Sequence, residues 1–553
     1  MPLNQRFFGY TQSFSFIGLA VAALFFAASV TPSLLPRHYL FQGILSGFAS
    51  SLGYAIGVGF VLLYHFLEFR DPPPRVQRIA KGVTTVAVAI LVLLFVRQAT
   101  FWQNSIRMRM EMPQLETSYP FRMMLIALLT ATGLHLAARL VLAACGNLTQ
   151  RMRRFIPRRF AQLMSAALIG LLILFVGEGI VTRGMLRVAD RIFLHADQVI
   201  DEGIDQPTNR LQTGSEESVV PWDSIGRRGK EFIVGGPTQQ SIASLTGQPA
   251  LQPIRVYVGM RSAEELSARA ELALDELIRV GGFERSAMII ATPTGTGWLD
   301  PGGVDTAEYL LGGDCAIVSM QYSYLPSWMT ILIDPRRSIE SAAALFRALY
   351  DHWVTLPVDS RPKLYLFGLS LGALGSEVSP DLLRLLETPI DGGLFSGPPF
   401  PSRQWASLTA NRNPGSPEFL PRIRDGRIVR FTNQFAPPDR QQPWGSMRFL
   451  YIEYASDPMV FFSPSLAYRE GSWMQGERGK DVSPFLRWVP LVTFLQIGFD
   501  LPMATSVPHG YGHNYAPRDY IDGWAAVLDR SSWSDAELGR LKAHFDSGQP
   551  LPQ

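Results

Sequence analysis

Hydrophobic and polar positions divide the chain near residue 182. Before that point five long apolar runs, roughly 14–30, 41–67, 83–96, 123–144 and 164–181, alternate with short arginine-bearing stretches. A helix needs about 20 apolar residues to cross a bilayer core. The pattern therefore predicts an α-helical transmembrane bundle of about five helices over residues 1–182. The third run reaches that length only by extending outward to Ile79 and Phe101. Two ionisable residues fall inside the runs, His135 and Glu178, and helix-to-helix hydrogen bonding suits so few better than a transport pathway does.

Lys and Arg in the connections set the expected orientation. The second carries Arg70, Arg75, Arg78 and Lys81, and the fourth Arg151, Arg153, Arg154, Arg158 and Arg159. The first has only Arg37, while the third has Arg97, Arg107, Arg109 and Arg122. The bias favours a cytoplasmic N-terminus, with the first run a retained span rather than a cleaved signal peptide. An odd number of crossings then places everything after residue 182 on the non-cytoplasmic side.

Residues 183–253 read as a connecting region, polar and rich in Gly, Pro, Ser and Gln from residue 201. From 254 to 553 short β-branched runs alternate with amphipathic stretches. The strands are "IRVYVGM", "AMIIATPT", "AIVSMQYSY", "KLYLFGLS", "GGLFSGPP", "MRFLYIEYAS" and the stretch before "VPHGYGH". Helices are expected over 263–280, near 306–311, over 339–353 and from Leu371. Such alternation implies an α/β domain, with a mostly parallel sheet and helices on both faces. Ligands then bind beyond the carboxyl ends of the strands.

Composition adds limits. Of 553 residues 47% are apolar, and mean hydropathy is +0.10, which agrees with a membrane part. A net charge of +3 gives no footing for nucleic acid across the chain as a whole. The two cysteines, Cys145 and Cys315, make no disulfide framework.

Candidate chemistry starts at Gly368-Leu369-Ser370-Leu371-Gly372. In a G-x-S-x-G turn between strand and helix the serine adopts a strained backbone, and the glycines remove side chains that would collide. Alone the pattern is weak, since roughly one chain of this length in five contains it by chance. Its place after "LYLF" raises its value, and an acid and a histidine follow in the order of an α/β-hydrolase. Asp457 comes directly after an apolar strand, whereas Glu453 lies inside that strand and Asp391 precedes its own. His509 and His513 share the loop "VPHGYGH"; His513, after a glycine, better suits a mobile loop reaching Ser370.

The oxyanion hole is expected from the Leu371 backbone N–H and from Thr294, Gly295 or Thr296 in "TPTGTGW". Trp298, Tyr322, Tyr324 and Trp328 are candidates for a substrate pocket, or equally for a structural corner. No phosphate-loop motif occurs. "HGYGH" lacks the helix that zinc ligation at this spacing needs, so neither metal nor cofactor is expected.

The stretches "TPSLLPR", "GSEESVVPWDSIGRRGKEFI", "TPTGTGW", "QYSYLPSW", "RPKLYLFGLSLG" and "GYGHNY" resemble bacterial α/β-hydrolase family membrane proteins, with an uncharacterised hydrolase domain behind a multi-span N-terminal domain. The resemblance implies an α/β-hydrolase fold, Ser370 as nucleophile and a place in the bacterial inner membrane. It supplies no substrate. Two departures stand out: Leu369 replaces a residue that is often Glu or His, and a helix separates the first two strands, where many such enzymes begin antiparallel. The expected function is a membrane-anchored serine hydrolase, an esterase, lipase or acyltransferase, acting on an apolar, lipid-like ester. Ser370, His513 and Asp457 are its triad, and the bilayer and the ester its partners. The rival is a non-catalytic membrane protein that keeps the fold for binding or assembly.

Overall fold

The computed structural model describes residues 14–174, 197, 204–530 and 532–547. The chain divides into two compact units. One takes Met1–Leu186 with Phe462–Gln475 and Asp481–Met503; the other takes Arg187–Phe461, Gly476–Lys480 and Ala504–Gln553. Between Asp457 and His513 in sequence, Phe462–Gln475 and Asp481–Met503 thus belong to the first unit.

In the helical unit α1 (Phe16–Ser29), α2 (Tyr39–Phe66), α3 (Pro74–Arg109), α4 (Pro120–Met152) and α5 (Arg158–Leu174) follow the expected runs. Ser15 caps α1, its Oγ accepting the Gly18 N–H at 3.2 Å. Prolines at their first turns open α3 and α4, where a missing N–H costs nothing. The third run is not marginal: its helix extends to 36 residues. Among the described residues three helices, α2, α3 and α4, are long and apolar enough to cross a membrane. The 14 residues of α1 span only about 21 Å. Of the fifth run, the part beyond Leu174, with Glu178, lies outside the described residues.

α1 packs along α2, and the approach is close because Gly57 has no side chain. A Cβ there would stand 2.7 Å from the Gly18 Cα. His135 of α4 lies against the rings of Phe14 and Tyr54, at centroid distances of 4.9 and 5.5 Å. The helix Val492–Asp500 packs on α1 and α2. It occupies the stretch before "VPHGYGH", where a strand was expected.

Among the described residues the second unit has seven strands: β1 (Ile254–Val258), β2 (Ala287–Thr292), β3 (Cys315–Met320), β4 (Lys363–Leu369), β5 (Gly392–Ser396), β6 (Val429–Thr432) and β7 (Arg448–Ile452). Their order is β1-β3-β2-β4-β5-β7-β6, and every pair is parallel. β2 and β3 are buried at each residue, as strands covered on both faces must be. The flanking helices include α6 (Arg227–Val234), α7 (Gln239–Thr246), α8 (Leu266–Arg279), α9 (Pro301–Leu310), α10 (Ser327–Ile333), α11 (Arg336–Trp353), α12 (Leu371–Ser376) and α13 (Pro517–Val527).

Two of these, α6 and α7, fall in the stretch read as a connecting region, and α6 packs on β1. Helix α8 joins β1 to β2 in parallel, so the sheet has no antiparallel opening among the described residues. Arg255 of β1 ties down α9: its Nε donates to Glu308 Oε1 at 2.8 Å, and Asp305 takes a further bond from the same guanidinium. That helix carries the loop after β2 on its N-terminal end.

Candidate active site

With all strands parallel, the loops after β2, β4, β5 and β7 leave the same edge of the sheet. Ser370 follows β4, which pairs with β2 on one side and β5 on the other. Its backbone has φ 58° and ψ −124°, a conformation that strains any residue with a Cβ. Both elbow glycines have steric reasons. A Cβ on Gly368 would lie 2.3 Å from the Gly372 carbonyl, and one on Gly372 would lie 2.1 Å from Thr292 O. The turn closes with Ser370 N–H donating to Ser396 O at 2.9 Å, and Leu374 N–H to Ser370 O at 3.1 Å.

Asp457 leaves the end of β7 and is wholly buried. Its Oδ2 lies 2.6 Å from His513 Nδ1 and accepts the Tyr515 hydroxyl at 2.9 Å. Its Oδ1 accepts the Met459 N–H at 2.8 Å. The histidine loop is fixed at two more points: Gly512 N–H donates to Ser456 Oγ at 2.9 Å and His513 N–H to Ala504 O at 2.8 Å. His509 is exposed, and the histidine brought to a carboxylate is His513.

Ser370 and His513 meet around Ser396 and Gly397. Ser396 accepts the serine amide, and a Cβ on Gly397 would lie 2.7 Å from His513 Cε1. Gly397 has φ +51°, so glycine serves here both for conformation and for the space the imidazole occupies. Ser370 Oγ and His513 Nε2 are buried and without a hydrogen-bond partner among the described residues. Hydrogen bonds of this kind are often open without substrate and close when it binds.

In the loop after β2 the Thr294 N–H donates to Trp298 O at 2.9 Å, and the Gly295 N–H to Ser327 Oγ at 3.0 Å. Those two groups are committed to shaping the loop. Thr296 follows them, its carbonyl taking a 3.4 Å bond from Gln321. Leu371 opens α12, and the first N–H groups of a helix have no acceptor within it.

The four aromatic candidates scatter. Tyr322 is buried; Trp298 and Tyr324 are half-buried; Trp328 is exposed on α10. Burial pushes the Tyr322 phenol up, against the pull of Ser338, and Ser338 Oγ donates to Leu371 O. Tyr322 is therefore a buried side chain near Ser338, its hydroxyl without a hydrogen-bond partner among the described residues.

Among the residues around the site that the sequence does not single out is one with a titratable group. Asp300, the N-cap of α9, accepts the Gly302 N–H at 2.9 Å. Burial raises its carboxyl to about 7, opposed by Gly302, the Tyr520 hydroxyl and His513. Tyr520 is also bonded to Ser396 Oγ at 2.8 Å. A polar chain thus runs from Asp300 through Tyr520 to the residue that holds the Ser370 amide. An Asp before a Pro at a helix start was the available signal, and it reads first as a cap.

Comparison with known proteins agrees with the fold. Residues 254–541 match the alpha/beta-hydrolase family, and residues 30–237 match the N-terminal region described for that family. No curated protein and no solved structure matches the chain.

Proposed function

The chain belongs to the alpha/beta-hydrolase family, and from that premise we propose that it is a serine hydrolase that cleaves an apolar ester through an acyl-enzyme. The observation that carries this reading is the 2.6 Å approach of His513 Nδ1 to Asp457 Oδ2, with the same imidazole packed beside the residues that hold Ser370.

In the first step Ser370 Oγ attacks the ester carbonyl carbon while His513 Nε2 takes its proton. Asp457 keeps the Nδ1–H tautomer in place and stabilises the imidazolium. Developing charge on the carbonyl oxygen meets the Leu371 N–H and, from the loop after β2, the N–H of Thr296. The imidazolium then protonates the departing alcohol. Water, or another acceptor, attacks the acyl-serine by the same proton route.

Helices able to enter a bilayer concentrate lipid-like esters around the enzyme, which favours an apolar acyl group. With all five runs crossing, the arginine bias of the helical connections supports a hydrolase unit on the non-cytoplasmic side; strong activity of a cytoplasm-only reporter fused to the C-terminus would reverse that placement. The catalytic reading is tested on detergent-solubilised protein with a fluorophosphonate probe and a p-nitrophenyl ester. Ser370→Ala abolishes both labelling and hydrolysis, and continued serine labelling in that variant would remove Ser370 from its role.

A further inference from the structure

In the helical unit a groove of about 720 Å³ runs between α1, α3 and α4. Phe16 and Ala23 line it from α1, Val88, Val92 and Val96 from α3, and Met124 from α4. Its polar contribution is confined to one end, at Thr84 and Thr85. Thr85 Oγ1 is turned back onto the Lys81 carbonyl at 2.8 Å, which leaves the wall smooth and apolar.

The sequence spacing along α3 aligns charge with this wall. Residues three and four apart on a helix share a face. Arg78, Lys81, Thr84 or Thr85, Val88, Val92 and Val96 therefore form one stripe, cationic at its start and aliphatic beyond. The Lys81 Nζ stands 5.8 Å from the Phe16 ring centroid, so the cation sits at the mouth. Both Lys81 and Arg78 are exposed, and neither pairs with a carboxylate among the described residues. From Thr84 to Val96 the helix rises about 18 Å, close to half of a hydrocarbon core of about 30 Å.

We infer that this groove is a phospholipid site: one acyl chain of the surrounding bilayer lies along α3, with its phosphate on Lys81 and Arg78. The depth suits one leaflet, the lining suits a hydrocarbon chain, and the cations suit an anion at the membrane surface, where lysine stems extend toward water. The site is independent of the hydrolase chemistry and survives if that reading fails.

The test uses the full chain in nanodiscs of phosphatidylglycerol doped with the same lipid carrying a diazirine in its acyl chain. Crosslinks are mapped by peptide mass spectrometry. Labelling concentrates on the groove face of α3, at Val88 and Val92, and falls at least threefold in both Ala89→Trp, which fills the groove, and Lys81→Glu. Val86→Trp, on α3 outside the groove lining, leaves it unchanged and controls for folding. Even labelling around α3, or labelling that ignores Ala89→Trp, overturns the proposal. So does a benzoylphenylalanine at Val92 that crosslinks to residues 175–203 or to a second copy in place of lipid.

Discussion

Arg37 Nε donates to Asp500 Oδ1 across 2.9 Å with both side chains closed to solvent. Ser33 Oγ adds a 2.6 Å bond to Asp500 Oδ2, and Arg37 Nη2 reaches Gln496 O at 2.8 Å. Gln496 Nε2 in turn donates to Thr31 O at 2.9 Å. This network binds the stretch after α1 to the helix Val492–Asp500, whose sequence lies between the candidate acid and the candidate histidine. Burial pushes the Asp500 carboxyl up and the Arg37 guanidinium down, and each partner pulls the other back.

Breaking a buried pair by removing one member typically costs 3–5 kcal/mol, roughly, because the other charge stays buried and alone. Arg37→Ala and Asp500→Ala therefore each lower the thermal midpoint of the solubilised protein sharply. The double variant Arg37→Met/Asp500→Leu recovers most of that loss, since apolar replacement removes both desolvated charges. Single variants as mild as surface substitutions would show that the pair is not a structural anchor.

Much of the sheet was legible because its central strands are unbroken apolar runs bounded by turn residues. "AMIIAT" and "CAIVSM" read directly as covered strands. β6 was missed: only Val429–Thr432 pair, and Arg430 sits inside them, bonded to loop carbonyls of Gly426 and Asp439. The run at Val492–Asp500 was misread as a strand because short apolar segments give no usable period, and its partners are helices far back in sequence. At the site, the order of serine, acid and histidine was legible from motif and placement. Tyr515, Gly397 and the Asp300–Tyr520 link were not, since each acts through a neighbour supplied by another strand end.

Two buried carboxyls bracket Trp405 and make stability depend on pH. Glu377 Oε2 accepts the Trp405 N–H and the Tyr451 hydroxyl, each at 3.2 Å, while the indole N–H donates to Glu453. Burial raises Glu377 to about 8 and pushes Glu453 well up. Unfolded glutamate loses its proton near 4.3, while the folded protein keeps its own until about 8. The folded state thus binds more protons in between, and this contribution is complete below the lower value and lost as pH rises through the upper one. Its slope is about 1.4 kcal/mol per pH unit. Denaturant midpoints measured from pH 5 to 8 fall with pH, and Glu377→Gln makes the fall shallower. An unchanged slope in that variant would assign the proton elsewhere.

Asp300 supplies a second electrostatic influence on His513. Held at about 7 by burial, its carboxyl is neutral in acid and charged in mild base. Once charged it favours the imidazolium that forms as Ser370 attacks, so kcat/KM for a p-nitrophenyl ester rises as pH passes through that value. Asp300→Asn keeps the shape and the cap geometry but never acquires the charge. At an effective dielectric near 20, a carboxylate close to the imidazole is worth about 1–2 kcal/mol, a loss of roughly five- to thirtyfold at pH 8.5. At pH 6, where the wild-type carboxyl is itself protonated, the variant matches it. A uniform loss at both pH values would mean that Asp300 acts only through the fold of its loop, as the cap of α9.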